Sequence, residues 1–506
     1  MINDIEVMPS DVDELKKLTQ AYAQENENLQ LKVEALEAQL RLFKKQAYQS
    51  KSERFSSNQQ DMFSEELQEE LKLLQESDKS DDNPIAIPAH SRKPRQKRQI
   101  DPSLPRVDVI HDLPEEQKNC PCGCALKCIG EELSVEQLAI IPQKVYVIRH
   151  LKKKYVCKSC NEAPVRAPMP RPPVPKSKAS AIFLAWLVTS KYVDGLPLYR
   201  LNKILKRCGV EFCHKSMARL LIQAGEHLDR LLEMWADHLN TYDIRQCDET
   251  CLQVLHEENR LATSKSYLWI QRGGPPNKPV IHITYSASRS GEVAKSLLSG
   301  FRNGYLVVDA YYGYLAIAKD NELKIVNCMD HSRRKFKEAW DSLSTKQRKT
   351  AGGIARLALE RFKKIYAIEA SIKELSVEDR FKARQENSLK LLEDFYAWAL
   401  KVKSSVIMTQ KTKDAINYFI NHYPELCRYC EDGRLPISNI MTEHCAKSIA
   451  IARKAFLFSN SPSGAQATAK FFSVVLTAQA NGLDPFKYLT LLFTRLPNIK
   501  SGGSLR

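Results

Sequence analysis

No uninterrupted apolar run in the 506 residues reaches the ~18 that a membrane-crossing helix requires. The opening residues, MINDIEVMPSDVDELKK, hold no apolar core of the secretory kind. Both absences lead to the expectation of a soluble, cytoplasmic protein. Negative charge is in deficit: 60 Asp and Glu stand against 76 Lys and Arg, a formal net charge of +16. That balance favours a polyanionic partner, and with no membrane segment to serve, nucleic acid is the expected one. Cysteine is not spread as in a secreted disulfide framework. Six of the fourteen fall between Cys120 and Cys160, and the rest are scattered through segments that read as ordinary core. Such clustering points to metal before disulfide. The length exceeds what one core usually supports, so several domains are expected.

Proline and glycine are missing from residues 10–82. Within that stretch Leu15, Tyr22, Leu29, Leu36 and Phe43 recur every seven residues, with Thr19, Asn26, Val33, Leu40 and Ala47 as the companion seam. The spacing predicts a coiled-coil helix in residues 10–75 that joins copies of the chain, with Asn26 fixing the register. A lone amphipathic helix lying on the protein body is the alternative. Residues 76–106 turn polar, basic and proline-containing, which reads as a linker whose Arg92, Lys93, Arg95, Lys97 and Arg98 can grip phosphates or simply be solvated. A second, stiffer proline-rich linker occupies 163–178.

Between the linkers, residues 107–162 hold the cysteine cluster. Cys157-Lys-Ser-Cys160 is a C-x-x-C knuckle, and Cys120, Cys122 and Cys124 offer a second pair upstream. Zinc takes four thiolates tetrahedrally from two such loops. One Zn²⁺ held by four of these five cysteines is expected, with Cys128 outside the set; which two of the upstream three take part stays open, and buried, unrelated thiols are the competing reading. Cys427 and Cys430 lie in a helical run and read as core cysteines.

Residues 179–240 are patterned as helices. LYRLNKILKRCG, a short turn and a helix opened by His214 to Arg219 make a helix-turn-helix candidate for DNA, and a plain bundle fits the pattern as well. From 241 the period becomes strand-like. IRQCDETCLQVL, KSYLWIQRGG and PVIHITYSAS read as a meander; a helix, the strand YLVVDAYYGY, another helix and the strand LKIVNCM follow. That order of elements is the one expected of a ribonuclease H-like core, here spanning 241–465 with a helical insertion at about 339–430 and a helical segment at 466–506. Asp248 sits within a strand and Asp309 ends one, positions costly for a charge unless it is paired or metal-bound. If the first and fourth strands are neighbours, the two acids face each other, and a divalent ion would relieve their repulsion. Asp432, Glu443 and Asp484 all satisfy the spacing for a third acid.

These residues resemble the transposases of the insertion sequence 66 family over nearly the whole chain. The cysteine block 120–160 is similar to that family's zinc-binding segment. CDET at 247–250 and YLVVDAYYGY at 305–314 resemble the motifs around its first two catalytic acids, DHSRRKF at 330–336 its His-x-Arg-Arg-Lys-Phe segment, and DGRLPISNIMTEHCAKSIAIARKAFLFSNSPSGA the block holding the third. TAQANGLDPFKYL at 477–489 is similar to its C-terminal signature. The resemblance selects Glu443 and implies a DDE enzyme. Asp248, Asp309 and Glu443 would hold two Mg²⁺ (or Mn²⁺) ions that activate water to cut the element ends, and the freed 3′-hydroxyls would join target DNA. It further implies DNA-phosphate roles for His331, Arg333, Arg334, Arg453 and Lys454, accessory proteins of the same element, and residence at the nucleoid.

Two positions depart from the family pattern. Asn439 and Ile440 stand where it has Asn-Asn before the third acid, and His444 follows where it has Arg. A copy drifted from activity is therefore a reading to weigh, as are a DNA-binding regulator that never cuts and a nuclease or resolvase on the same core.

Overall fold

A computed structural model describes residues 104–112, 128, 137–140, 143–155, 165–344, 353–405 and 408–499. The expected coiled coil, most of the basic linker, and Cys120, Cys122, Cys124, Cys157 and Cys160 lie outside the described residues. The chain divides into two compact units. In Phe55–Val147 the described residues are exposed and contain no helix or strand. The other unit includes Ile148–Arg506 and holds every element that follows. Lys154–Tyr155 and Val165–Arg166 pair as a short antiparallel ribbon; in sequence they bracket the Cys157–Cys160 knuckle.

Four helices open the larger unit: α1 (Ala181–Tyr192), α2 (Leu198–Arg207), α3 (His214–Glu226) and α4 (Asp229–Leu239). Ser180 caps α1 by accepting from the Phe183 N–H, leaving the following apolar run free to bury Leu184, Leu187 and Val188. The periodicity of 217–239 reads as one helix, yet it is broken between α3 and α4. Gly225 lies against Ala467, the buried Leu228 follows, and the His227 ring bonds the Pro173 carbonyl, so packing wins over the local pattern.

The period-two segments form one five-stranded sheet. Its strands are β1 (Ile244–Gln253), β2 (Lys265–Gly273), β3 (Val280–Ser286), β4 (Tyr305–Val308) and β5 (Lys324–Asn327), in the spatial order β3-β2-β1-β4-β5. The first three form an antiparallel meander; β4 joins β1 in parallel and β5 joins β4 in parallel. The crossovers are α5 (Gly291–Leu297) and α6 (Leu315–Asp320). Alternation sends Cys247, Trp269, Leu306 and Val308 to the α5–α6 side, where Ala294, Leu298, Phe301 and Ile317 close a core. Leu252, Leu268, Ile270, Ile281 and Ile283 face the opposite side.

After β5 comes a run of helices: α7 (Met329–Ser342), α8 (Gly353–Ser371), α9 (Val377–Ala383), α10 (Leu389–Ser405), α11 (Gln410–Asn421) and α12 (Tyr423–Cys427). They pack on fully buried Phe336, Phe362, Phe395 and Phe419, the last two stacked with ring centroids 4.1 Å apart. Cys430 is buried nearby. Then α13 (Ile440–Phe456), α14 (Pro462–Ala480) and α15 (Pro485–Arg495) return to the sheet. The core on that side draws on α1, α3, α13, α14 and α15 together.

Helix α14 also solves the problem posed by β3, an edge strand with outward amide groups. Ser473 and Thr477, one turn apart, accept from the Ile283 and Ile281 N–H groups at 2.8 and 2.9 Å, and Asn481 donates to the Pro279 carbonyl at 2.8 Å. Ser473 is completely buried. Ser473→Val strands one buried N–H, so a loss of about 1–3 kcal/mol is expected. Urea denaturation followed by circular dichroism checks this; an unchanged midpoint would argue that the hydroxyl is not sealing the edge.

Candidate active site

The ladder between the two central parallel strands fixes the geometry of the acids. Gln246 pairs with Val307, the last pair of the β1–β4 register. Two residues further on, Asp248 stands within β1 and Asp309 just past the end of β4, and the alternation of the two strands carries both to the face that receives α13. The Asp248 carboxylate accepts the Glu249 N–H at 2.8 Å. Burial, then the negative charges of Glu249, Asp309 and Glu443, push its pKa up to about 8. Asp309 lies one residue past β4, where the chain turns through Ala310 at φ +67°. That left-handed alanine costs about 1 kcal/mol and lets Asp309 Oδ1 accept the Tyr311 N–H at 3.1 Å. From α11, the Tyr418 hydroxyl donates to the Asp309 carbonyl at 3.4 Å.

Glu443 is delivered by the first turn of α13, a position the helix dipole favours for a carboxylate. Asn439 does not cap that helix with its side chain. Its Nδ2 instead donates to the Cys247 carbonyl at 2.8 Å, and Thr442 donates to Gln246 Oε1 at 3.1 Å, so the start of α13 is pinned to β1 just ahead of the third acid. Arg334 of α7 donates to Glu443 Oε2 at 3.0 Å. On the other oxygen, His331 Nδ1 lies at 3.4 Å and the Cys328 thiol at 3.8 Å. Asn439→Ala unpins α13 and is expected to lower any activity carried by Glu443 by about 10-fold or more, as loss of an orienting contact does. Turnover with the fold intact by circular dichroism measures it; full activity would mean that α13 holds its place without Asn439.

The five basic residues singled out in the sequence part company. His331 and Arg334 meet Glu443. Arg333 turns to buried Asp330, which also accepts from the Tyr366 hydroxyl at 2.6 Å. Arg453 donates to the Cys251 carbonyl, bracing α13 on β1, and Lys454 is exposed. Among the described residues, the set whose ligand atoms all lie within 4.8 Å of one another is Cys328, His331 and Glu443, not the three acids.

Glu249 was not singled out by sequence reasoning, although it adjoins Asp248. It points to the opposite face, with its side chain 2% exposed, and accepts from Arg289 Nε at 2.6 Å and the Tyr314 hydroxyl at 3.1 Å. Burial and then Asp309 raise its pKa, while Arg289 opposes them. Arg289 also lies over the Tyr311 ring at 4.2 Å. An acid two positions past the apolar Cys247 on the same face of the strand was the available signal, since a carboxylate is rarely buried there without a partner.

Three matched segments define the class as transposase. Residues 176–467 match the family described as Transposase IS66 family, residues 117–161 the zinc-finger binding domain of transposase IS66, and residues 35–109 the family described as Transposase C of IS166 homeodomain. The zinc-finger match encloses all five expected zinc cysteines and supports a structural zinc. The chain belongs to the IS66 transposase family. Among its relatives in Sinorhizobium fredii (strain NBRC 101917 / NGR234), the uncharacterized protein y4jD is 29% identical over 408 residues, 78% of this chain and 77% of its own. The uncharacterized protein y4qI is 27% identical over 533 residues, 98% of this chain and 96% of its own. No described helix is long and apolar enough to cross a membrane.

Proposed function

We propose that this chain cuts the ends of its own insertion sequence and joins them to target DNA, using Asp248, Asp309 and Glu443 on a ribonuclease H-like core. The strand order β3-β2-β1-β4-β5, antiparallel then parallel, supports that reading of the core. The observation that carries the proposal is the meeting of three acids from β1, the end of β4 and α13: burial and Glu249 first, then Asp309 and Glu443, lift Asp248 to about 8.

Mutual repulsion of this kind suits an oxygen-ligated divalent cation such as Mg²⁺ or Mn²⁺. Among the described residues the three acids are not a set whose ligand atoms all lie within 4.8 Å of one another, so they would close onto such ions by side-chain movement. Bound there, such ions would supply activation of water and charge stabilisation at the scissile phosphate. The chain's own residues position the rest. Arg334 fixes Glu443 and, with its side chain 48% exposed, keeps donors for a phosphate oxygen. Exposed Tyr199, Arg200, Lys203, Lys206 and Arg207 on α2, with His214, Lys215 and Arg219 on α3, suit backbone contacts to duplex DNA. In this reading the domains are those expected from the sequence, copies pair through the N-terminal helix, accessory proteins of the element assist, and the protein resides at the nucleoid.

The departures at Ile440 and His444 do not leave Glu443 without a cation. Burial and Lys447 hold His444 below the usual imidazole range, so it is neutral at pH 7 and the positive charge comes from Arg334. Purified chain incubated with labelled element-end DNA and Mg²⁺ is expected to nick at the element boundary. End-specific binding without cleavage, even with accessory proteins added, would instead favour a non-cutting regulator or a drifted copy.

A further inference from the structure

We infer that Cys328, His331 and Glu443 form a second, softer metal site that binds a zinc-like ion and thereby draws Glu443 away from the other two acids. The site is built from a strand end and two helix starts. Cys328 follows β5 immediately, His331 lies in the first turn of α7, and Glu443 lies in the first turn of α13. Zinc bonded at ~2.0–2.3 Å to N, O and S ligands in a tetrahedron sets those ligands about 3.3–3.5 Å apart. The gaps here are 3.4 Å from His331 Nδ1 to Glu443 Oε1 and 3.8 Å from Cys328 Sγ to the same oxygen, and all three atoms lie within 4.8 Å of one another. The two gaps to Glu443 Oε1 are within a few tenths of an ångström of those values, and the Cys328–His331 gap, bounded at 4.8 Å, closes by up to about 1 Å through rotation of the His331 side chain.

Burial, then Asp330 and Glu443, push the Cys328 thiol well up, so without an ion it keeps its proton, and two backbone donors are aimed at the sulfur for when an ion displaces that proton. The Asn439 N–H donates to Cys328 Sγ at 3.2 Å, and the His331 backbone N–H adds a second bond to the same sulfur. Such outer contacts orient a metal ligand and stabilise its charge. Cys328 is completely buried, so the sulfur forms the floor, while the His331 and Glu443 side chains, 26% and 23% exposed, form an entrance. His331 Nδ1 is itself buried and without a hydrogen bond. Arg334 holds Oε2 of Glu443 and leaves Oε1 for the ion. A cysteine-histidine-carboxylate set is borderline-soft, favouring Zn²⁺ or Co²⁺ over Mg²⁺, and its fourth position is open to water. Binding exchanges the thiol proton for the metal, with the proton released to solvent and no change of oxidation state.

The consequence for catalysis rests on Glu443 being the third acid, but the site itself does not. Full-length protein carrying one zinc per chain, verified by native mass spectrometry, is titrated anaerobically with Co²⁺. One further equivalent is expected to bind with the visible bands of tetrahedral cobalt and a thiolate charge-transfer band. Cys328→Ser should abolish the charge-transfer band, and His331→Ala, at a partly exposed position, should weaken binding about tenfold or more. Asp248→Asn should leave the thiolate charge-transfer band unchanged. No second equivalent, or a charge-transfer band that survives Cys328→Ser in folded protein, overturns the site. As a separate arm, micromolar Zn²⁺ should inhibit Mg²⁺-dependent end cleavage in the parent and at least tenfold less potently in Cys328→Ser. Equal inhibition of both would overturn the withdrawal of Glu443, while the cobalt titration still judges the site in a protein that does not cut.

Discussion

Asp248→Asn is expected to reduce end cleavage by about 10³-fold or more while leaving end binding within about twofold, because removal of one metal-holding carboxylate forfeits several kcal/mol of transition-state charge stabilisation. Asparagine keeps the size of the side chain and an oxygen able to accept the Glu249 N–H, so β1 has no reason to shift. What disappears is the ionisable oxygen beside Asp309. DNA binding should survive because the exposed cations of α2 and α3 lie on helices outside the sheet. Asp309→Asn should behave likewise. A gel assay with one end-labelled strand reads cleavage and a mobility shift reads binding. Cleavage within tenfold of the parent in either variant would remove that residue from the chemistry.

The same substitution is expected to stabilise the protein in magnesium-free buffer, and increasingly so as pH rises. In an unfolded chain an aspartate loses its proton near pH 4, whereas Asp248 in the fold keeps it to about 8. Between those values the folded state binds the extra proton, so the group lowers stability steadily from about pH 4 to pH 8, with no further change outside that window. Each pKa unit is worth about 1.4 kcal/mol, so the accumulated penalty at pH 8 is on the order of 5 kcal/mol. Asp248→Asn removes it. Melting curves of parent and variant should coincide near pH 4 and separate by several degrees at pH 8. A gap that is constant with pH, or largest in acid, would contradict the buried, repelled carboxylate. Glu249, also raised by burial and Asp309, should leave part of the slope in the variant.

Much of the larger unit was legible because its elements follow simple periods. The alternation through IRQCDETC and the apolar run YLVV gave the strands, and the expectation that the first and fourth are neighbours agrees with the β1–β4 ladder. Asp248 and Asp309 stood out because a charge in such places is costly without a partner. Glu443 was different: Asp432 and Asp484 fitted the spacing equally well, and resemblance alone selected it. In the fold, Asp432 is paired with Arg434 and Asp484 caps α15, so both have structural employment, while Glu443 meets Arg334 and His331. Contacts between residues 40 to 196 positions apart were not readable from local pattern. The reach of Asn439 to Cys247, the sealing of β3 by Ser473 and Thr477, and the salt link of Glu249 to Arg289 depend on how elements dock. The break between α3 and α4 belongs to the same class, since the sequence keeps its helical period straight through it.

The central claim, that three acids distant in sequence share divalent ions, is tested most directly by Mn²⁺ binding followed by electron paramagnetic resonance. Free Mn²⁺ signal should fall as the full-length chain binds ions that Mg²⁺ displaces. Asp248→Asn, Asp309→Asn and Glu443→Gln should each weaken that binding by about tenfold or more, because every one removes a ligand from a common set. Mn²⁺ affinity unchanged in all three variants, with the fold intact, would contradict the account.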